Sequence, residues 1–133
     1  IEAAGLDNIR ILSDDARLLL KVLPDASLGR AFALFPDPWP KLRHHKRRIV
    51  NPQTVAELAR AIRPGGELRL ATDDAGYARA MLETVLRDGR FAWPAMRSDD
   101  WLVRPADWPA TRYEEKALAA GRRPVYLRFV RAG

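Results

Sequence analysis

The chain has 133 residues, 47% of them hydrophobic, which is enough for one domain with a sizeable core. It holds no cysteine, which excludes disulfides, thiolate catalysis and cysteine-bound zinc, and no apolar run approaches the roughly 20 residues that span a bilayer. The net charge is +6, and residues 41–48 (KLRHHKRR) alone carry five Lys/Arg and no acid. Nearly all of the excess is therefore one local patch, the footprint of a phosphate-binding surface.

The chain opens on Ile1-Glu2-Ala3-Ala4-Gly5, neither a signal peptide nor a start methionine. It reads as the tail of a helix, so the chain is expected to be cut from something longer. Asn8–Leu12 alternates and predicts a short strand. Ala16–Leu23 predicts a short helix stopped by Pro24, and Asp25–Gly29 a turn. The near-continuous apolar run Ala31–Phe35 predicts a strand buried on both faces. Asn51 caps the next helix, with Pro52 in its first turn. Val55, Leu58, Ala59 and Ile62 follow at helical spacing, and Pro64-Gly65-Gly66 ends the run.

Glu67–Thr72 predicts a further strand. Asp73 or Asp74 caps a helix whose apolar face is Tyr77, Ala78, Met81, Leu82, Val85 and Leu86, and Gly89 terminates it. A short edge strand is expected within Phe91–Met96, then a loop holding Pro105 and Pro109. A helix over Thr111–Ala120 and a last strand over Val125–Val130 complete the chain. Alternating strands and helices predict an α/β fold with a mainly parallel sheet, helices on both faces and a late antiparallel strand.

In such sheets ligands bind beyond the carboxyl ends of the strands. Asp14-Asp15, Pro36-Asp37-Pro38 and Thr72-Asp73-Asp74 all follow strands there. A lone strand-end Asp is usually a solvated turn or a helix cap; three in one crevice point to a site.

The stretch Phe35–Arg48, FPDPWPKLRHHKRR, resembles the signature of bacterial tRNA (guanine-N7-)-methyltransferases. Asp15-Ala16, Arg63-Pro64-Gly65-Gly66, Ala71-Thr72-Asp73 and Thr111-Arg112-Tyr113-Glu114 match in order, so the resemblance covers essentially the whole chain. It implies a Rossmann-like class I methyltransferase fold and transfer of methyl from S-adenosylmethionine to N7 of a variable-loop guanine in tRNA. Asp37 then serves both catalysis and the cofactor. Asp15 meets the adenine end of the cofactor, with Asp14 beside it leaving a one-residue ambiguity. Lys41, Asp73, Thr111, Arg112, Tyr113 and Glu114 are implied substrate-binding residues. Arg43, His44, His45, Lys46, Arg47 and Arg48 are implied RNA contacts. The Gly-rich cofactor turn on the family's first strand is absent here. The chain thus resembles the C-terminal part of the enzyme, one partial domain over residues 1–133 whose N-terminal strands are missing.

The residues suit that chemistry on their own terms. Guanine N7 carries a lone pair and no proton, so positioning and electrostatics do the work and no general base is needed. Flanking prolines restrict the backbone of Asp37 and remove two donors, which fixes the direction of its carboxylate. Trp39 suits stacking on a base, or burial as a structural residue. Thr111 with Glu114 also reads as a helix-capping box. The two histidines, adjacent and without partner acids, predict no metal.

Two other readings remain: an amino-methyltransferase of the same fold, and a non-catalytic RNA-binding piece. The expected partner is tRNA in the cytoplasm, with no membrane and with monomer or homodimer undetermined. A piece lacking two core strands is also expected to expose apolar sheet edge and self-associate.

Overall fold

The computed structural model describes residues 5, 7–108 and 110–133. The helix tail expected at the start of the chain falls, but for Gly5, outside them. Residues 8–12 form no strand; Ile9, Ile11 and Leu12 are exposed. A strand requires a hydrogen-bonded neighbour, and none is at hand for this run among the described residues. Helix α1 (Ala16–Val22) follows, capped by Asp15, whose carboxylate accepts from the Arg17 N–H. Strand β1 (Leu28–Leu34) is only partly buried, not buried on both faces as its composition predicts, because one of its edges has no partner among the described residues.

A short 3-10 helix (Leu42–Arg47) carries the basic run. Helix α2 (Pro52–Ala61) starts as expected: the Asn51 side chain accepts from the Thr54 N–H at 2.9 Å, and Pro52 occupies the first turn, where no N–H is required. It ends at Ala61, before the Pro-Gly-Gly turn. The chain is already extended at Ile62, which opens β2 (Ile62–Thr72). Leu28 pairs with Ile62 and Arg30 with Glu67, so β2 bulges across residues 63–66. Gly66 is required there: a Cβ would lie 2.7 Å from the Gly29 carbonyl oxygen and from the Ile62 side chain.

Helix α3 (Ala75–Asp88) is capped by Asp74, not Asp73, at 2.8 Å from the Tyr77 N–H, and it ends on Gly89 with φ 87°. Tyr77, Ala78, Met81 and Val85 are buried, as their spacing predicts, whereas Leu82 is half-buried and Leu86, at the rim of that stripe, is exposed. The edge strand shrinks to β3 (Phe91–Ala92), and an unpredicted short helix α4 (Asp99–Leu102) follows. Helix α5 (Arg112–Ala119) and strand β4 (Val125–Arg131) close the fold.

The sheet order is β1-β2-β4-β3. Strands β1 and β2 are parallel, while β4 is antiparallel to both β2 and β3. The late antiparallel strand therefore falls where the sequence places it. Side chains alternate across β2. Leu68 and Leu70 join Leu127 and Phe129 of β4 under α2 and α3 to form the main core. Ala71 and Tyr126 face the other way, against Trp108 of the loop before α5.

Candidate active site at the carboxyl ends of the strands

Residues 35–40 leave the carboxyl end of β1 as a turn with almost no ladder of its own. The Phe35 N–H still reaches the Ala71 carbonyl at 2.8 Å; Pro36, Pro38 and Pro40 have no N–H to offer. Phe35 and Trp39 bracket the turn at φ 52° and 41°, left-handed values that bulky residues seldom adopt. Such conformations persist only where surrounding structure enforces them. Between them Asp37 is exposed, with no intramolecular ion pair among the described residues.

The basic run packs back on this turn. Arg47 lies over the Trp39 ring at 5.0 Å, and His44 meets that ring edge-on at 5.7 Å. Trp39 is thus half-buried and engaged by the run. Lys41, Arg43, Lys46 and Arg47 project into solvent, and His44 and His45 are half-buried. Arg48 differs from its neighbours. It is only 7% exposed, its Nε donates to the Pro38 carbonyl at 2.7 Å, and its guanidinium lies 4.6 Å over the Tyr77 ring.

At the end of β2, Asp73 has a side chain only 8% exposed and pairs with Arg122 of the loop before β4. Nothing local in the sequence marks Arg122, because its partner lies 49 residues away. Asp74, the neighbouring acid, is occupied as the cap of α3.

Helix α5 brings the late segment to the same end of the sheet. The Thr111 hydroxyl accepts from the Glu114 N–H at 3.1 Å, one half of the capping box. The other half is not made: the Glu114 carboxylate turns inward, buried, and accepts from the Tyr126 hydroxyl. Arg104 also lies 3.4 Å from that carboxylate. Burial and the bond to Glu114 push the Tyr126 hydroxyl well above the usual tyrosine range. Arg112 and Tyr113 remain exposed, and the Tyr113 ring sits 5.0 Å from Phe35. The Asp37 turn and the α5 start are thereby joined by one aromatic contact.

Asp15 lies apart from these groups. Its carboxylate is held by Arg17, whose hydrogen bonds keep it below the usual carboxylate range, while Asp14 accepts from the Asp15 N–H at 2.7 Å. Asp15 lines a cleft of about 450 Å3 together with Lys21, Lys46, Asn51 and Glu57, so the cleft runs from α1 to the basic run. Among the described residues no group of three or more His, Asp or Glu could hold a metal ion.

The fold defines a class before it defines a reaction. A family model described as "Putative methyltransferase" matches residues 1–127, and the chain belongs to that family. An rRNA methylase from Streptococcus thermophilus shares the fold, with a TM-score of 0.56 over 99% of this chain and 63% of its own, at 16% identity. The architecture is the Rossmann-like class I methyltransferase fold. More specifically, the chain is 52% identical over 131 residues to a tRNA (guanine-N(7)-)-methyltransferase of Rhodospirillum rubrum, covering 98% of this chain and 51% of that protein. It is 53% identical over the same span to that of Ruegeria pomeroyi, covering 55% of it. The chain thus spans about half the length of the curated relatives it matches.

Proposed function

We propose that the protein carrying this chain is a tRNA (guanine-N7-)-methyltransferase that forms 7-methylguanosine in the variable loop of tRNA, in the cytoplasm. The observation that carries this reading is the exposed Asp37 in its proline turn, set at the carboxyl end of β1 directly against a solvent-facing row of cations. The near-50% identity to proteins of that name supports it.

The methyl donor, S-adenosylmethionine, supplies an electrophilic methyl group on a sulfonium. The acceptors in this chain fit part of it. Asp15, on the rim of its cleft, would hold the adenine end, and Asp37 would face the sulfonium end. The Gly-rich turn that completes such a site is not within these residues. Asp37 orients the guanine by accepting from N1–H and the exocyclic amine, and its charge favours the positive charge that develops on the ring. Lys41, Arg43, Lys46 and Arg47 neutralise the RNA backbone, an electrostatic contribution that weakens as salt rises. Arg112 and Tyr113, exposed at the start of α5, would meet the substrate from that side.

Full-length protein incubated with labelled S-adenosylmethionine and tRNA should yield labelled 7-methylguanosine on nucleoside mass spectrometry. A methylated exocyclic amine would instead identify an amino-methyltransferase. Unlabelled tRNA, with RNA binding retained, would leave only an RNA-binding role.

A further inference from the structure

Arg48 sits in the basic run, where the family resemblance implies an RNA contact, yet its side chain turns inward. At 7% exposure Arg48 is largely withdrawn from solvent, and no carboxylate pairs with it among the described residues. A buried cation without an acid is costly unless other groups satisfy it. Two do so here: the Pro38 carbonyl, through a charge-assisted bond of 2.7 Å, and the face of fully buried Tyr77 at 4.6 Å. Tyr77 and the Arg48 backbone are themselves anchored. The Tyr77 hydroxyl accepts from the Val50 N–H at 3.1 Å, and the Asn51 amide donates to the Arg48 carbonyl at 2.8 Å while capping α2.

The turn that holds Asp37 needs such a hold from outside. Prolines at 36, 38 and 40 deny it backbone donors, and left-handed Phe35 and Trp39 must be kept in place. Pro38 follows Asp37 immediately, so a donor fixed on the Pro38 carbonyl fixes the peptide plane that ends one residue from the acting carboxylate. The Arg48 N–H also closes the 3-10 helix through the His45 carbonyl at 3.1 Å. One residue therefore ties the cation-bearing helix, the α3 core and the Asp37 turn together.

We propose that Arg48 is a positioning residue for Asp37 and makes no contact with RNA. This rests on the reading of Asp37 as the acting carboxylate, and methylation by the unsubstituted full-length protein tests that reading separately. Two neutral variants test the proposal: Arg48→Gln, which keeps a planar donor for the Pro38 carbonyl, and Arg48→Met, which has none. In Arg48→Met, kcat is expected to fall at least tenfold, and in Arg48→Gln by less. In both, KM for tRNA and the slope of log affinity against log salt stay as in the parent. Lys46→Ala is the control, with a salt slope shallower by roughly 0.7–0.9, the loss of one phosphate contact. The same shallower slope in either Arg48 variant, with kcat unchanged, would overturn the proposal. So would loss of cooperative melting in Arg48→Gln, which would make Arg48 a general strut of the core.

Discussion

The two faces of β2 are built on different physics. Toward α2 and α3, Leu68 and Leu70 are buried against Leu127 and Phe129 with no polar group between them, and area removed from water does the work. On the opposite face stand Glu67, Arg69 and Ala71. Arg69 is nearly enclosed, with its guanidinium 5.6 Å from the Phe32 ring and 5.4 Å from Trp108. It donates to Asp107 at 2.8 Å and to Glu67 at 3.2 Å, and Glu67 is met in turn by Arg30 and Arg128. Asp107 and Trp108 belong to the loop that leads into α5. The apolar face stabilises the sheet without direction; the polar face fixes where the loop and the start of α5 lie. Damage to the first should lower stability and spare the chemistry of whatever stays folded, whereas damage to the second, and to the strand end it serves, should reach the site.

Four experiments can break or sharpen that contrast. The largest effect is expected from Phe129→Ala, at fully buried Phe129: a loss of about 3–5 kcal/mol in denaturant unfolding, with kcat of the folded fraction unchanged. Next comes Asp37→Asn at the strand end, where kcat for tRNA methylation should fall about a hundredfold, or roughly 2.7 kcal/mol of barrier, while Tm stays put. Equal losses of stability in these two variants would erase the distinction. Third, Tyr126→Phe strips the buried Glu114 carboxylate of its hydroxyl donor, at a cost of about 1–2 kcal/mol. Because Glu114 sits beside Arg112 and Tyr113, KM for tRNA should rise as well; a stability loss with KM unchanged would confine Tyr126 to the core.

The smallest effect concerns acid. Burial pushes the Glu67 carboxyl up, but Arg128 and Arg69 together outweigh it and hold it below its ordinary value of 4.5. The bond from Arg69 likewise holds Asp107 below 3.8. Groups lowered in this way contribute stability that is complete above their unfolded values and is lost as pH falls through the folded ones. Urea midpoints should therefore be level from neutrality down to about pH 4.5 and drop below it, with a shallower drop in Glu67→Gln. A steep fall between pH 7 and 5 would contradict the assignment of these pairs.

Helices α2 and α3 were legible in the chain because their determinants are local: a cap, a first-turn proline or terminal glycine, and a stripe at helical spacing. Strands β2 and β4 were legible as elements for similar reasons. Residues 8–12 read equally well as a strand yet remain outside the sheet, since a strand depends on a neighbour that periodicity does not supply. At the site, the proline turn and the cationic run were visible. What each charged side chain touches was not. Arg48 reads like Arg47 in sequence; the tertiary positions of Tyr77 and the Pro38 carbonyl turn it inward. Asp73 meets Arg122, and Glu114 meets Tyr126, across 49 and 12 residues respectively. Local patterns carry no record of such partners.

The turn around Asp37 also has a thermodynamic history that precedes folding. Residues 36–40 read PDPWP, so three of the five have φ set by a ring even in the unfolded chain. Ordering one residue's backbone costs roughly 1–2 kcal/mol of conformational entropy. A compatible proline removes about 0.4–1 kcal/mol of that cost, on the order of 1–3 kcal/mol for the three. That is comparable to the strain of one left-handed residue, roughly 1–3 kcal/mol, and two such residues bracket the turn. Part of what keeps the carboxylate in place is therefore no contact in the folded protein at all, but the scarcity of other shapes the unfolded segment can adopt.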